Sequence, residues 1–143
     1  MSTIAPNENI PWDRFERELD ERGWATTGPL LTADQRDRLV ESYDDDRQFR
    51  SRVILGSHGF GQGEYRYFAY PLPPLIQQLR QAFYGRLAPI ANRWRAAFGE
   101  PPLPGTLEAF LDLCHAAGQA RPTPLLLRYG PGDYNCLHQD LYG

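Results

Sequence analysis

Lysine is absent, and all fifteen basic residues are arginine. Arginine suits bidentate recognition of phosphate or carboxylate, although an all-arginine composition follows equally from genomic codon bias. Cysteine is scarce as well. Cys114 and Cys136 do not make a disulfide framework, so free thiols in a reducing compartment are expected, with cytoplasm as the default location. No run of eighteen apolar residues exists, which excludes a membrane-spanning helix. Met1 to Pro11 has neither positive charge nor an apolar stretch, so no signal peptide is expected there.

What is present is the mixture of a soluble globular protein, 41% hydrophobic and 23% charged over 143 residues. That length fits one domain with a modest core. Charge is unevenly spread. Met1 to Asp46 carries twelve acids against five arginines, and Arg47 to Gly99 carries eight arginines against Glu64 alone. Glu100 to Gly143 is acidic again. The basic middle is compatible with a nucleic-acid partner, or with an ordinary solvated face.

Local patterns divide the chain into elements. Met1 to Ile10 is polar and expected to fray. Trp12, Phe15 and Leu19 recur at helical spacing from Pro11 to Arg22, and Gly23 stops that helix. "WATTG", Trp24 to Gly28, has the β-branched and aromatic content of a short strand. Thr32 followed by Gln35 predicts a capping box opening a second helix. "SRVIL" and "YRYFAY" predict strands at 51–55 and 65–70, with the glycine-rich "GSHGFGQGE" as a loop between them. Leu75, Leu79, Phe83, Leu87, Ile90, Trp94 and Phe98 step through a helix of about 24 residues, which Pro89 should kink. A shorter helix is expected from Thr106 to Ala117. "TPLLLRY" then reads as a buried strand, Gly130-Pro131-Gly132-Asp133 as a turn, and "YNCLHQD" as the returning strand. The fold class is α+β.

The chemistry concentrates in "RYGPGDYNCLHQDLYG". On a strand His138 and Asp140 share a face and reach one cation together. With one further histidine they would complete a two-His-one-carboxylate triad, which leaves positions open for co-substrate and O2. A surface strand pair with no metal fits the same spacing. Glu64, Tyr65, Arg66 and Tyr67 gather aromatics and arginine in the basic segment. Base stacking there is physically reasonable, as is burial of the aromatics in a core. "GSHGFGQGE" lacks the Gly-Lys-Ser/Thr of a phosphate loop, and Cys114-His115 and Cys136-x-His138 lack zinc spacing.

Tyr129, Pro131, Gly132, Leu137, His138, Gln139 and Asp140 resemble a stretch of the iron(II)/2-oxoglutarate dioxygenases. The likeness is to the alkylated-DNA-repair (AlkB-like) and prolyl-hydroxylase-like branches, with their "Y-x-P-G-x(4)-L-H-x-D" pattern. The layout of Gly-Trp strand, "PLLT", capped helix and long helix is similar to the support region of that superfamily. The resemblance implies helices packed on the first strands of an incomplete double-stranded β-helix, or jelly roll. Residues 1–10 would be disordered, 11–122 the helical support region with short strands, and 123–143 the start of the β-helix core. It also implies Fe(II) held by His138 and Asp140, and 2-oxoglutarate held by Tyr129. Tyr142 would contact substrate by the same likeness, while Arg66 and Tyr67 are candidate substrate contacts from the basic segment itself, and Leu127 departs from the Asn that AlkB-like enzymes often place there. The reaction implied consumes O2 and 2-oxoglutarate and hydroxylates a C–H bond, on alkylated DNA or RNA if the AlkB-like likeness holds. The alternatives are a protein or small-molecule hydroxylase of prolyl-hydroxylase type, and a non-catalytic interaction fragment. No membrane and no stable protein partner are expected.

The same family needs a distal His and an Arg or Lys well after His-x-Asp, yet only Leu141, Tyr142 and Gly143 follow. His58 and His115 lie upstream, where the family places no ligand. The expectation is therefore an inactive, truncated chain, with exposed strand edges that favour aggregation.

Overall fold

The structure, a computed structural model, describes residues 10–139. They form two units, one from residues 10–37 with Pro73–Ala120, the other from Arg38–Leu72 with residues 121–139.

The first unit is helical. Helix α1 (Trp12–Arg22) ends where the Gly23 N–H bonds the Leu19 carbonyl at 2.9 Å. Its apolar stripe puts Trp12 and Phe15 into a buried cluster with Ile10, and Leu19, Ala25, Leu30 and Phe83 pack around it. Phe83 comes from α3 (Pro74–Ala97), meeting the Trp12 ring edge-on with centroids 6.1 Å apart. Burying a ring such as Phe15 contributes about 2–3 kcal/mol. Residues 1–9 of the polar N-terminal stretch lie outside the described residues, and Ile10, its last member, is buried.

Helix α2 (Ala33–Ser42) begins with the expected capping box in full. The Gln35 N–H donates to Thr32 Oγ1 at 3.2 Å, and the Thr32 N–H donates to Gln35 Oε1 at 2.9 Å. Helix α3 runs 24 residues and passes through Pro89. Proline has no N–H, so the Gly85 carbonyl four residues earlier loses its helical donor there. Helix α4 (Leu107–Ala116) is capped by Thr106, whose hydroxyl accepts from the Ala109 N–H. Asn92 fixes the segment between α3 and α4 by donating to the Leu103 carbonyl and accepting the Leu103 N–H.

Trp24 to Gly28 is not a strand. Its composition favours extended backbone, but no neighbouring strand supplies a ladder, and propensity without a partner does not make a sheet.

The second unit carries the strands found among the described residues. Strands β1 (Phe49–Ile54), β3 (Glu64–Phe68) and β4 (Leu125–Arg128) form one antiparallel sheet in the order β1-β3-β4. Strands β2 (Gly61–Gln62) and β5 (Tyr134–Asn135) form a second, two-stranded sheet. Register places Ile54 and Arg128 on either side of Glu64, and Val53 and Leu127 on either side of Tyr65. Phe68 and Leu55 are the most buried side chains here, and Phe49 stacks on Phe68 at 4.8 Å.

Chain direction gives this unit its character. Strands β2 and β3 are consecutive, separated by Gly63 alone, yet belong to different sheets. Strands β4 and β5 are also consecutive and also divide between the two sheets. Because β2 pairs with β5 and β3 with β4, one antiparallel ribbon turns a corner and contributes to both sheets. The corner passes through Gly63 on one arm and residues 129–133 on the other. "GSHGFGQGE", expected as a loop, holds a 3-10 turn (Leu55–His58) and strand β2.

Candidate metal and co-substrate site

The Gly130–Asp133 turn is built as its residue types predict. The Asp133 N–H donates to the Gly130 carbonyl at 3.1 Å, and Asp133 Oδ2 accepts the Gly130 N–H at 2.7 Å. Tyr129 enters the turn from β4, and β5 leaves it. Around this end of the ribbon lies an open cleft of about 470 Å³ lined by Gly63, Glu64, Arg128, Tyr129, Gly130 and Asp133. Tyr129 is 43% exposed in it.

His138 follows β5. The strand was expected to continue through Asp140, but it ends at Asn135. Strand β2 opposite is two residues long, so after the Cys136 N–H bonds the Phe60 carbonyl at 2.8 Å the ladder has no further rungs. His138 is exposed, with Nδ1 2.8 Å from the Cys136 carbonyl oxygen. A carbonyl only accepts, so Nδ1 carries the proton in that bond, which in the neutral imidazole puts the lone pair on Nε2. A backbone bond of this kind is how metal-ligating histidines are commonly oriented. Asp140 and Tyr142 lie outside the described residues. Among the described residues, no cluster of three or more His, Cys, Asp or Glu could hold a metal.

Arg66 and Tyr67, paired as substrate contacts in the sequence, project to opposite faces of β3. The Arg66 guanidinium bonds Asp46 at 2.6 Å and lies 4.9 Å over the Tyr43 ring. Tyr67 meets Tyr65 edge-on at 5.4 Å, and Arg50 covers its ring at 4.4 Å. Leu127 shares the Tyr65 and Tyr67 face and is half exposed.

Two features escaped the sequence. The first is an ionic cluster on the Arg66 face. Arg52 donates two hydrogen bonds to Glu64 Oε2, Arg128 Nη2 lies 2.7 Å from Glu64 Oε1, and Arg128 Nη1 bonds Asp44 at 3.0 Å. The Arg128 guanidinium also sits 4.4 Å over Tyr43, so that ring is covered by two cations. The Tyr43 hydroxyl and Glu64 Oε1 are both buried here, and the hydroxyl interacts with the Glu64 carboxylate. Burial pushes the Tyr43 phenol up, and the Glu64 charge adds to that. For Glu64, burial alone would raise the carboxyl. The Arg52 hydrogen bonds, the Tyr43 hydroxyl and the Arg128 and Arg52 charges outweigh it and hold the group below its ordinary value.

The second missed feature is the pair Gly61 and Gly63, at φ 128° and 120°. A Cβ on Gly61 would lie 2.2 Å from the Tyr134 carbonyl oxygen. The spacing was visible in "GFGQGE", but nothing local says which glycines meet another strand.

A family described as an oxygenase catalysing oxidative methylation of damaged DNA matches residues 63–143. The chain belongs to this oxygenase family. The match starts at Gly63, one arm of the corner, and takes in β3, α3, α4, β4, the turn at 129–133, β5 and the His-x-Asp pair. An uncharacterized protein of Mycobacterium tuberculosis, present in two strains, is 53% identical over 77 residues. That stretch is 53% of this chain and 33% of the relative, so the chain spans about a third of the curated relatives it matches. No solved structure matches the chain. No described helix is long and apolar enough to cross a membrane.

Proposed function

We propose that this oxygenase depends on Fe(II) and 2-oxoglutarate, and that residues 129–140 form the first half of its active site. The observation that carries the reading is the ribbon corner. It sets Tyr129 at the mouth of a cleft on one arm, and His138 beyond β5 with its Nδ1 tied to a backbone carbonyl. A ribbon shared between two sheets also supports a jelly roll as the architecture being built.

The residues fit the roles. His138 would ligate through Nε2, the nitrogen its bond to Cys136 leaves with a lone pair. Asp140 would be the carboxylate ligand. The Tyr129 phenol would donate a hydrogen bond to a 2-oxoglutarate carboxylate, and a charge-assisted bond of that kind contributes about 1.5–3 kcal/mol. Iron with 2-oxoglutarate, when bound, supplies oxygen activation, with succinate and CO2 as co-products and a hydroxylated C–H bond in the substrate. On an N-methylated base the hydroxylated carbon leaves as formaldehyde, so the base is demethylated. Alkylated DNA or RNA is therefore the proposed substrate, with Tyr142, Arg66 and Tyr67 as candidate contacts. Arg66 would have to act from inside its ion pair with Asp46.

The facial triad needs a second histidine. His58 stacks on Phe60 in the 3-10 turn and His115 lies in the last turn of α4. Neither belongs to the ribbon, so the 143 residues by themselves are proposed to lack the distal ligand.

The test is Mn(II) binding, in place of iron, with and without 2-oxoglutarate, followed by electron paramagnetic resonance. The wild-type chain is expected to bind, 2-oxoglutarate is expected to sharpen the signal, and His138→Ala is expected to abolish both effects. Binding that survives in His138→Ala would sink the reading. Formaldehyde from methylated DNA, against hydroxylation of a peptide, separates repair from a prolyl-hydroxylase type of activity in a longer relative.

A further inference from the structure

We infer that Gly63 is a positioning residue for Tyr129: the absence of a side chain at 63 sets where the tyrosine ring stands. The inference rests on the proposed role of Tyr129 toward 2-oxoglutarate.

Gly63 sits at the corner between β2 and β3, at φ 120°. A Cβ built there would lie 2.7 Å from Tyr129 Cδ1, 3.0 Å from Cε1 and 3.2 Å from the Arg128 carbonyl oxygen. Real Cβ atoms do not approach that closely, so something must yield. The backbone at 63 is pinned from two sides. Its carbonyl accepts the N–H of Leu55 at 3.0 Å, and Leu55 is 2% exposed. Its successor Glu64 is locked in register opposite Arg128, the residue before Tyr129. The half-exposed ring is the part free of such constraints, so it turns away first. Rotation of a ring moves its far end most, and the hydroxyl is the atom proposed to meet the co-substrate.

A ring placed only for packing would be buried, whereas this one faces an open cleft. The bare backbone at 63 therefore serves the direction of the phenol more than it serves the core. The same glycine admits the ring edge and permits the backbone conformation that carries the ribbon from one sheet to the other.

The experiment compares wild type, Gly63→Ala, Tyr129→Phe, the double variant and Gly56→Ala in the full chain. Gly56 is a control in the same unit, where a Cβ would meet nothing closer than the Gly61 carbonyl at 3.8 Å. Two quantities are measured: 2-oxoglutarate affinity in the presence of Mn(II), and the 19F spectrum of chain labelled with 3-fluorotyrosine. The Tyr129 resonance is assigned by its loss in Tyr129→Phe. Gly63→Ala is expected to weaken 2-oxoglutarate by roughly tenfold or more when Tyr129 is present, as loss of a charge-assisted hydrogen bond would. It should have little further effect in the Tyr129→Phe background. The Tyr129 resonance should shift in Gly63→Ala and stay in place in Gly56→Ala. Equal weakening in both backgrounds, or an unmoved resonance, overturns the inference. If wild type binds no 2-oxoglutarate, the co-substrate role of Tyr129 falls. The resonance then decides alone whether Gly63 sets the ring: a shift upholds it and an unmoved line overturns it.

Discussion

Glu64 stands directly opposite Arg128 across the β3–β4 ladder, with carboxylate and guanidinium 2.7 Å apart. Arg52, opposite Arg66 on the neighbouring strand, reaches the other carboxylate oxygen. One largely buried acid thus separates three arginines that share a sheet face. Its removal takes the carboxylate from between Arg52 and Arg128, while Arg128 and Arg66 keep Asp44 and Asp46.

Glu64→Gln is therefore expected to destabilise the second unit by about 1–3 kcal/mol at neutral pH. Chemical denaturation would read this as a lower midpoint with unchanged slope. The pH profile gives a second check. The Glu64 carboxyl is held below its ordinary value of 4.5, so its contribution is present above that pH. It is lost as pH falls from there through the folded value. Wild type should lose stability in that window, and Glu64→Gln should show a flatter curve. Parallel curves would count against the cluster's role.

The capping box at Thr32 makes a local prediction. Thr32→Ala removes the acceptor for the Gln35 N–H, at an expected cost of about 1 kcal/mol. Gln35→Ala removes the reciprocal bond, and the two losses should not add in the double variant. Thermal melts of the three variants measure this.

Gly61→Ala should be harsher than any surface change. Its Cβ would meet the Tyr134 carbonyl at 2.2 Å in a backbone conformation that side chains avoid. The expected cost is about 2 kcal/mol or more. Hydrogen exchange gives the specific readout. The Cys136 amide, bonded to the Phe60 carbonyl, should lose protection while amides of β1 and β3 keep most of theirs.

The purified 143-residue chain should release no succinate from 2-oxoglutarate under oxygen with added Fe(II), whatever methylated DNA is supplied. Succinate that depends on 2-oxoglutarate and disappears in His138→Ala would show that the distal ligand is not needed, or lies within these residues.

How much was legible follows from sequence separation. Helices α1, α2, α3 and α4 were visible, α2 with its capping box and α1 with its Gly23 stop, because their bonds join residues three or four apart, so Thr32 and Gln35 carry their own signal. The turn at Gly130–Asp133 was visible for the same reason. Strands β1, β3 and β4 were visible as apolar or aromatic runs. Trp24 to Gly28 looked equally strand-like and failed, because a strand also needs a neighbour that its own residues do not specify.

The candidate site divides along the same line. His138 and Asp140 stood out by spacing and residue type as a candidate metal pair, and Tyr129 by the family resemblance alone. Long-range pairing decided the rest. Gly61 meets Asn135, Gly63 meets Tyr129 and Glu64 meets Arg128 only after the ribbon has folded. Pairing likewise ended β5 at Asn135 and left His138 to be oriented by the Cys136 carbonyl. By itself the sequence determined which groups could do chemistry and which local elements carry them. Tertiary structure decided which glycines are obligatory and which charges meet, because those contacts join positions more than sixty residues apart.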